Sequence, residues 1–366
     1  MSVFSHSAFA DHEQVSFFHC KETGLKAIIA VHNTNLGPAL GGCRMWAYES
    51  DEQALRDVLR LAKGMTYKAA ITGLPLGGGK SVIIGDSRTG KTPEMMQAMG
   101  RAVETFGGHY IIAEDVGTTV PDMDAIHSQT EHVVGISQNG SGDPSPTTAL
   151  GVFTGLKAAV RHGLKRDDLK GIKVAVQGLG NVGYNLCKLL AAEGAVLFVT
   201  DMQQDKVDRA VAEFGATAVA MPDIYQQDVD VFAPCALGAV LNDTTIKSLK
   251  AKVVAGAANN QLAEPRHGEM LRSMNILYAP DYLINAGGLI NVYYEHRARV
   301  SGKPYDRAEV EAHVAKIADT ASSIFKLADE QGIATSAAAD RIAEERFNAP
   351  GHQHSCREPV RKASCQ

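Results

Sequence analysis

An α/β fold in two domains is predicted by three features of the sequence. Strands and helices alternate from about residue 25 onward, the pattern of a layered α/β protein. The 366 residues exceed the roughly 100–200 that one core usually takes. The stretch "IKVAVQGLGNVGYNLCKLLAAEGAVLFVTD" (172–201) reads as strand, glycine turn, helix and second strand, so the later domain is expected to be Rossmann-type and the earlier one a separate α/β unit.

Along the chain, "KAIIAVHN" (26–33) is expected to be a strand and "LGPALGGCR" the loop after it. Ser50 to Gln53 fits a capping box, and Ala54, Leu55, Val58, Leu59, Ala62 and Met65 recur at helical spacing behind it. "SVIIGD" (81–86) is a buried strand, and Thr92-Pro93 opens a helix that stops at Gly107-Gly108. "YIIAEDVG" (110–117) is a strand with Glu114 and Asp115 at its C-terminal end, the end at which open α/β sheets bind ligands. "NGSGDPSPTTALG" (139–151) reads as a boundary, followed by a helix from about Thr147 to Arg161. Two amphipathic helices are expected beyond residue 305. The organisation expected is a first domain over 1–140 with helices at 328–350 returning to it, a nucleotide-binding domain over 141–327, and a polar tail at 351–366 that is expected to be disordered.

Composition narrows the function classes. A net charge of -5 and a pI near 6.2 give no electrostatic reason to expect nucleic acid or an anionic membrane surface as partner. No apolar run is long enough to span a bilayer and the first 20 residues lack a signal-peptide pattern, so a cytoplasmic location is expected. Six scattered cysteines without CxxC spacing and histidines without HExxH argue for reduced thiols and no metal. Small-molecule chemistry is the default.

"GLPLGGGKS" (73–81) ends like a phosphate loop but fails its register: the position that must be glycine in G-x-x-x-x-G-K-[ST] is Leu74. The nucleotide is instead expected at Gly178, Gly180 and Gly183. These would supply a tight turn, backbone approach to a diphosphate and close helix packing, with Leu179, Asn181 and Val182 between them. Asp201 ends the second strand, where a carboxylate accepts from ribose hydroxyls and repels a 2′-phosphate, favouring NAD over NADP. Ala236 ends "DVDVFAPCA", and Asn259 follows "KVVAGAANN", either as a turn residue or against the nicotinamide. A nicotinamide enzyme also needs proton-transfer groups. Lys68, Lys80 and Asp115 are the candidates, two lysines able to converge on one cleft and a carboxylate able to take an amine proton.

"GGCRMW", "LAKGMTYKAA", "GLPLGGGKS", "AEDVGTTVPDM", "GLGNVGYNLCKLL", "FAPCALGAVLN" and "YAPDYLINAGGLIN" together resemble the leucine/phenylalanine/valine branch of the glutamate dehydrogenase superfamily. The similarity runs from about residue 20 to about residue 347. It implies two domains with the active site in a cleft between them, assembly as a homodimer or homo-octamer, and reversible oxidative deamination of an L-amino acid to its 2-oxo acid and ammonium with NAD. By position it implies Lys80 as acid/base, Lys68 on the substrate carboxylate with the Gly41-Gly42 backbone, and Asp115 on the amine proton. Thr148 and Asn259 fall near the nicotinamide and Asn285 near the substrate amine. The resemblance further implies a side-chain pocket lined by Leu40, Met65, Ala113, Leu289 and Val292. Ala113 is of the kind found in leucine-type members and Leu289 of the kind found in phenylalanine-type members. A branched-chain substrate (leucine, valine, isoleucine) is expected, with an aromatic one as the alternative. A non-catalytic NAD-binding regulator is the alternative of a different class.

Overall fold

The computed structural model describes residues 3–137 and 142–349, which form two units. The described residues of the first unit are those up to Gly142, Glu295–Tyr305 and those from Ala343; the second comprises Asp143–Tyr294 and Asp306–Ile342.

The first unit is a five-stranded sheet with helices on both faces. Its elements are β1 (Gln14–Cys20), β2 (Leu25–Asn33), β3 (Ala39–Trp46), α1 (Asp51–Ile71), β4 (Gly77–Ile84), α2 (Pro93–Glu104), β5 (Tyr110–Glu114) and α3 (Val120–His127), with strand order β1-β2-β4-β3-β5. β1 and β4 run antiparallel to β2, while β3 is parallel to both β4 and β5. The period of two along each strand sorts the core into two layers. Ile28, Ala30 and Val82 pack with Val58, Leu59 and Ala62 of α1. Ile29, Met45, Ile83 and Ile112 pack with Met96, Met99 and Met123 of α2 and α3. Ser50 caps α1 by accepting from the Gln53 N–H, and Thr92 caps α2 in the same way, as the sequence led one to expect.

A loop expected from its glycine content is strand, and the strand expected at 81–86 begins four residues earlier. "LGPALGGCR" supplies most of β3, and Gly77, Gly78 and Gly79 are the buried start of β4. The reason is close approach. A Cβ at Gly78 would collide with the backbone nitrogen of Thr66 in α1, and one at Gly79 would lie 2.7 Å from the Tyr110 ring.

The second unit holds α4 (Ser145–Leu164), β6 (Lys173–Gln177), α5 (Asn181–Ala192), β7 (Val196–Thr200), α6 (Gln204–Phe214), β8 (Thr217–Ala218), β9 (Val231–Pro234), α7 (Thr245–Ser248), β10 (Val253–Val254), α8 (Arg266–Ser273), β11 (Leu277–Tyr278) and α9 (Asp281–Ile284). They are followed by α10 (Gly287–Ser301), α11 (Arg307–Ala315), α12 (Ile317–Gln331) and α13 (Thr335–Phe347). The six strands lie in the order β11-β10-β9-β6-β7-β8, every neighbouring pair parallel. This is the doubly wound order, and its switch point falls between β6 and β9.

The helices beyond residue 305 depart from the expected partition. Residues 328–342 lie in the second unit, not the first. The cause is α12, whose buried stripe of Ile317, Ala321, Ile324 and Phe325 needs an apolar partner. It finds one in α4, where the bare Gly151 lets the Ile317 side chain approach and His162 meets Phe325 with ring centroids 5.2 Å apart. The first of the two helices expected beyond residue 305 breaks at Lys316, into α11 and α12. Only from Ala343 does the chain rejoin the first unit. There Glu344 accepts from Tyr67 Oη at 2.6 Å, and Arg346 donates to the carbonyls of Ala70 (3.0 Å) and Ile71, closing the C-terminus of α1. Part of the expected boundary, 138–141, and the whole tail at 351–366 lie outside the described residues.

Candidate functional site

In the first unit, strand parity assembles the proton-transfer candidates. Gly78 and Val82 of β4 face α1, so Lys80 between them faces the same way. Cys43 and Met45 of β3 and Ile112 of β5 point to the opposite layer, which turns Leu40, Gly42 and Arg44, and Ala113 and Asp115, to the α1 side. Lys80 Nζ donates to Asp115 Oδ2 at 2.6 Å, and Arg44 Nε donates to the same oxygen at 3.2 Å. The Lys80 side chain is 8% exposed and that of Asp115 23%.

Gly42 makes room for this pair. A Cβ there would lie 2.7 Å from Asp115 Cβ and 3.2 Å from Lys80 Nζ. Gly41 has its carbonyl tied to Tyr110 Oη at 2.8 Å. Burial pushes the Asp115 carboxyl up, but the charges of Lys80 and Arg44 outweigh it and leave the group below the ordinary carboxylate range. The site therefore holds a largely desolvated carboxylate in its ionised form, hydrogen-bonded to Lys80 Nζ.

Lys68 and Met65, both half-buried, lie in the last two turns of α1, the helix packed on β4 through Thr66 and Gly78. Leu40 is almost fully buried and Ala113 is half-buried.

Sequence reasoning missed Arg44. Its signal was available in the alternation of "GGCR", since a residue two beyond Gly42 must share its face.

In the second unit the glycine turn follows β6 directly. Gly178 has φ 101°, a left-handed conformation, and a Cβ on it would lie 2.7 Å from that of Ala236, the residue at the end of the β9 segment. A Cβ at Gly183 would collide with the Gly178 carbonyl, so α5 packs directly on the turn. Gly180 differs: it caps α5 without a side-chain cap, and a Cβ on it meets nothing within 4 Å. Neither packing nor backbone conformation requires glycine there, so the space it leaves is available to a ligand. The first N–H groups of a helix have no partner within it, and no side chain caps α5 at Gly180, an arrangement that suits a diphosphate.

Asp201 closes the far side, accepting from Leu179 N–H at 2.6 Å and from Gln203 N–H at 2.9 Å. A carboxylate has about four acceptor positions, so acceptor capacity remains for ribose hydroxyls. Asn181 and Val182 form the first turn of α5. These residues fit a dinucleotide.

Further polar candidates of this unit meet one another. Asn285 Nδ2 donates to Asn259 Oδ1 at 2.8 Å and to Ala257 O at 3.1 Å, so a buried asparagine fixes an exposed one. Thr148 Oγ1 lies against Gly288, where a Cβ would sit 2.7 Å away. Leu289 is buried and Val292 half-buried in the first two turns of α10. Tyr294 Oη is within 3.2 Å of His313 Nδ1, which ties that aromatic to α11. Among the described residues there is no cluster of three potential metal ligands and no helix long and apolar enough to cross a membrane.

Comparison with known proteins gives a consistent result. Residues 12–132 match the family model of the Glu/Leu/Phe/Val dehydrogenase dimerisation domain, and 140–204 and 199–350 match that of the Glutamate/Leucine/Phenylalanine/Valine dehydrogenases. A leucine dehydrogenase of Bacillus cereus is 55% identical over 349 residues, covering 95% of this chain and 94% of that protein. A phenylalanine dehydrogenase of Bacillus thermotolerans is 47% identical over 352 residues, covering 94% and 91%. The crystal structure of L-tryptophan dehydrogenase from Nostoc punctiforme superposes with a TM-score of 0.82 at 48% identity, covering 92% of this chain and 96% of that one. With identity of this extent and both family models matched, the chain belongs to the Glu/Leu/Phe/Val family of amino acid dehydrogenases.

Proposed function

We propose that this amino acid dehydrogenase interconverts a branched-chain L-amino acid and its 2-oxo acid, with leucine preferred and NAD as the cofactor. The observation that carries the proton-transfer part is the buried Lys80–Asp115 pair at 2.6 Å, cleared by Gly42. Held by the glycine turn Gly178, Gly180 and Gly183 and by Asp201, NAD would supply the acceptor for the hydride of the amino acid α-carbon. Lys68 holds the substrate carboxylate. Asp115 accepts a proton from the substrate amine. Lys80, after losing its ammonium proton to solvent, takes a proton from water as it adds to the imine carbon, passes it to the nitrogen, and takes the hydroxyl proton as the carbonyl forms and ammonia leaves. In the aminating direction the same two groups run in reverse.

NAD over NADP is supported by Asp201, whose charge would repel a 2′-phosphate. A homo-oligomer is supported by the family model of residues 12–132 and by the edge strand β1, which exposes Phe17. Leucine over aromatic substrates is supported by the Ala113 methyl, which narrows the space for a ring. The discrimination expected from such a pocket is modest, about 10–200-fold.

The test is one panel of 2-oxo acids with ammonium and NADH. Turnover efficiency on 2-oxo-4-methylpentanoate should exceed that on the 2-oxo acids of phenylalanine and tryptophan. The opposite order would make the enzyme an aromatic amino acid dehydrogenase, and no turnover on any of them would leave a cofactor-binding regulator.

The cofactor assignment has its own check. Gly180→Ala should leave the melting temperature unchanged, because the new methyl meets no protein atom, while weakening NADH binding measured by fluorescence titration. Unchanged NADH affinity would separate this turn from the cofactor.

A further inference from the structure

Asp115 Oδ2 is shared by two cations, and only one of them, Lys80, has a part in the chemistry proposed above. The other, Arg44, is itself fixed from behind. Its Nη1 donates to Asp57 Oδ2 at 2.8 Å, and Tyr48 Oη donates to that same oxygen at 2.8 Å. Arg60 lies 3.5 Å from Asp57 Oδ1. The chain of contacts runs from α1 (Asp57) through β3 (Arg44) to the end of β5 (Asp115). It is part-buried throughout, with side-chain exposures of 16% for Asp57 and 23% for Arg44.

The geometry is specific. A planar guanidinium offers donors in a fixed fork, so holding one edge on Asp57 sets where Nε meets Asp115. Asp115 follows the last residue of β5, and its backbone N–H donates to Thr118 Oγ1 at 3.0 Å. The backbone is therefore anchored, and the remaining freedom lies in the side-chain torsions. Lys80, on a long flexible stem, cannot fix those torsions alone. Arg44 does.

We propose that Arg44, braced by Asp57 and Tyr48, is a positioning residue that holds the Asp115 carboxylate in its proton-accepting orientation and ionised form. The inference rests on the function proposed for Lys80 and Asp115. Arg44 touches neither substrate nor cofactor in it and acts only through Asp115.

The charged and titratable surroundings of Asp115 are few. Lys80 reaches it from β4, Arg44 and the buried Cys43 thiol belong to β3, and the buried Tyr110 hydroxyl belongs to β5. Asp57 and Tyr48 stand behind Arg44. Lys91 and Asp122 are paired with each other at 2.6 Å, with Lys91 also donating to Gly117 O. Of the two cations on Asp115, Arg44 is the one removable without removing the acid/base. Taking it away leaves burial less opposed, so the Asp115 carboxyl must rise.

The test uses the full-length enzyme in the aminating assay, on the substrate that the wild-type protein turns over. If the wild type turns over nothing, the proposed function fails before Arg44 is tested. With an active wild type, Arg44→Gln should lower kcat by about 10–100-fold, the scale of a misplaced catalytic group, with KM for the 2-oxo acid changed less than about threefold. The acidic limb of the pH profile of kcat/KM should move to higher pH. Asp57→Asn keeps Arg44 but loosens its brace, and should shift the same limb in the same direction by less. Arg44→Lys, which restores charge without the fork, should return the limb toward wild type while kcat stays low. An unmoved acidic limb in both Arg44→Gln and Asp57→Asn would overturn the proposal, and so would a kcat that tracks the melting temperature alone. Should Arg44→Gln fail to fold, the Asp57→Asn profile decides.

Discussion

Lys80→Ala should lower turnover by about 10²–10⁴-fold, the range that one positioned acid/base contributes, with NADH binding unchanged. The expectation follows from how little else in the first unit could take over. The Lys80 ammonium lies 2.6 Å from Asp115 with only 8% of its side chain exposed, so bulk water cannot substitute freely for it. Arg44 remains on the carboxylate, but a guanidinium does not give up its proton at any pH the fold tolerates. NADH binding reports on the glycine turn of the second unit and should be indifferent to the change. A melting temperature near that of the wild type would show that the loss is chemical. A variant that kept near-wild-type turnover would sink the acid/base assignment and move attention to Lys68.

The glycine turn after β6 was readable from the sequence because its glycines are needed for local reasons. Gly178 must be left-handed, Gly183 must let the helix pack on the turn, and both requirements lie within one short strand-turn-helix. Asp115 was readable for a similar reason, as an acid at the end of an alternating strand. What could not be read depends on partners distant in sequence. Arg44 sits inside a motif already singled out for its glycines, yet its role needs Asp57 and Tyr48 from beyond the strand. The Asn259–Asn285 hydrogen bond joins two stretches on separate elements, and each alone is consistent with a turn. The periodicity of α12 gives an apolar face without saying that α4 covers it, which is why residues 328–342 were expected in the wrong unit. Strands as short as β8, β10 and β11, of two residues each, exist through their neighbours in the ladder more than through their own sequence.

The glycines before Lys80 illustrate the same point with the second large effect. A run of three glycines signals a flexible turn when read locally, and substitution in such a turn costs little. In the fold these residues are buried strand, and Gly78 is where the backbone of α1 meets β4. Gly78→Ala should therefore cost about 1–3 kcal/mol of stability, as overpacking in a core does. Thr66 is helix backbone and cannot rotate away as a side-chain end could. The strain must be relieved by moving α1 off the sheet, and α1 carries Lys68 while β4 carries Lys80. Activity should fall together with stability, by about 100-fold for a displacement near 1 Å. Gly64→Ala is the matching control. It lies inside α1 with nothing within 4 Å of its Cβ position, so alanine there should stabilise the protein by roughly 0.5–1 kcal/mol. Chemical denaturation of the two variants in parallel separates the readings. If Gly78→Ala were as stable as the wild type, the glycines would be there for flexibility after all. If it is destabilised while Gly64→Ala is not, they are there because α1, which carries Lys68, must lie closely against β4, which carries Lys80.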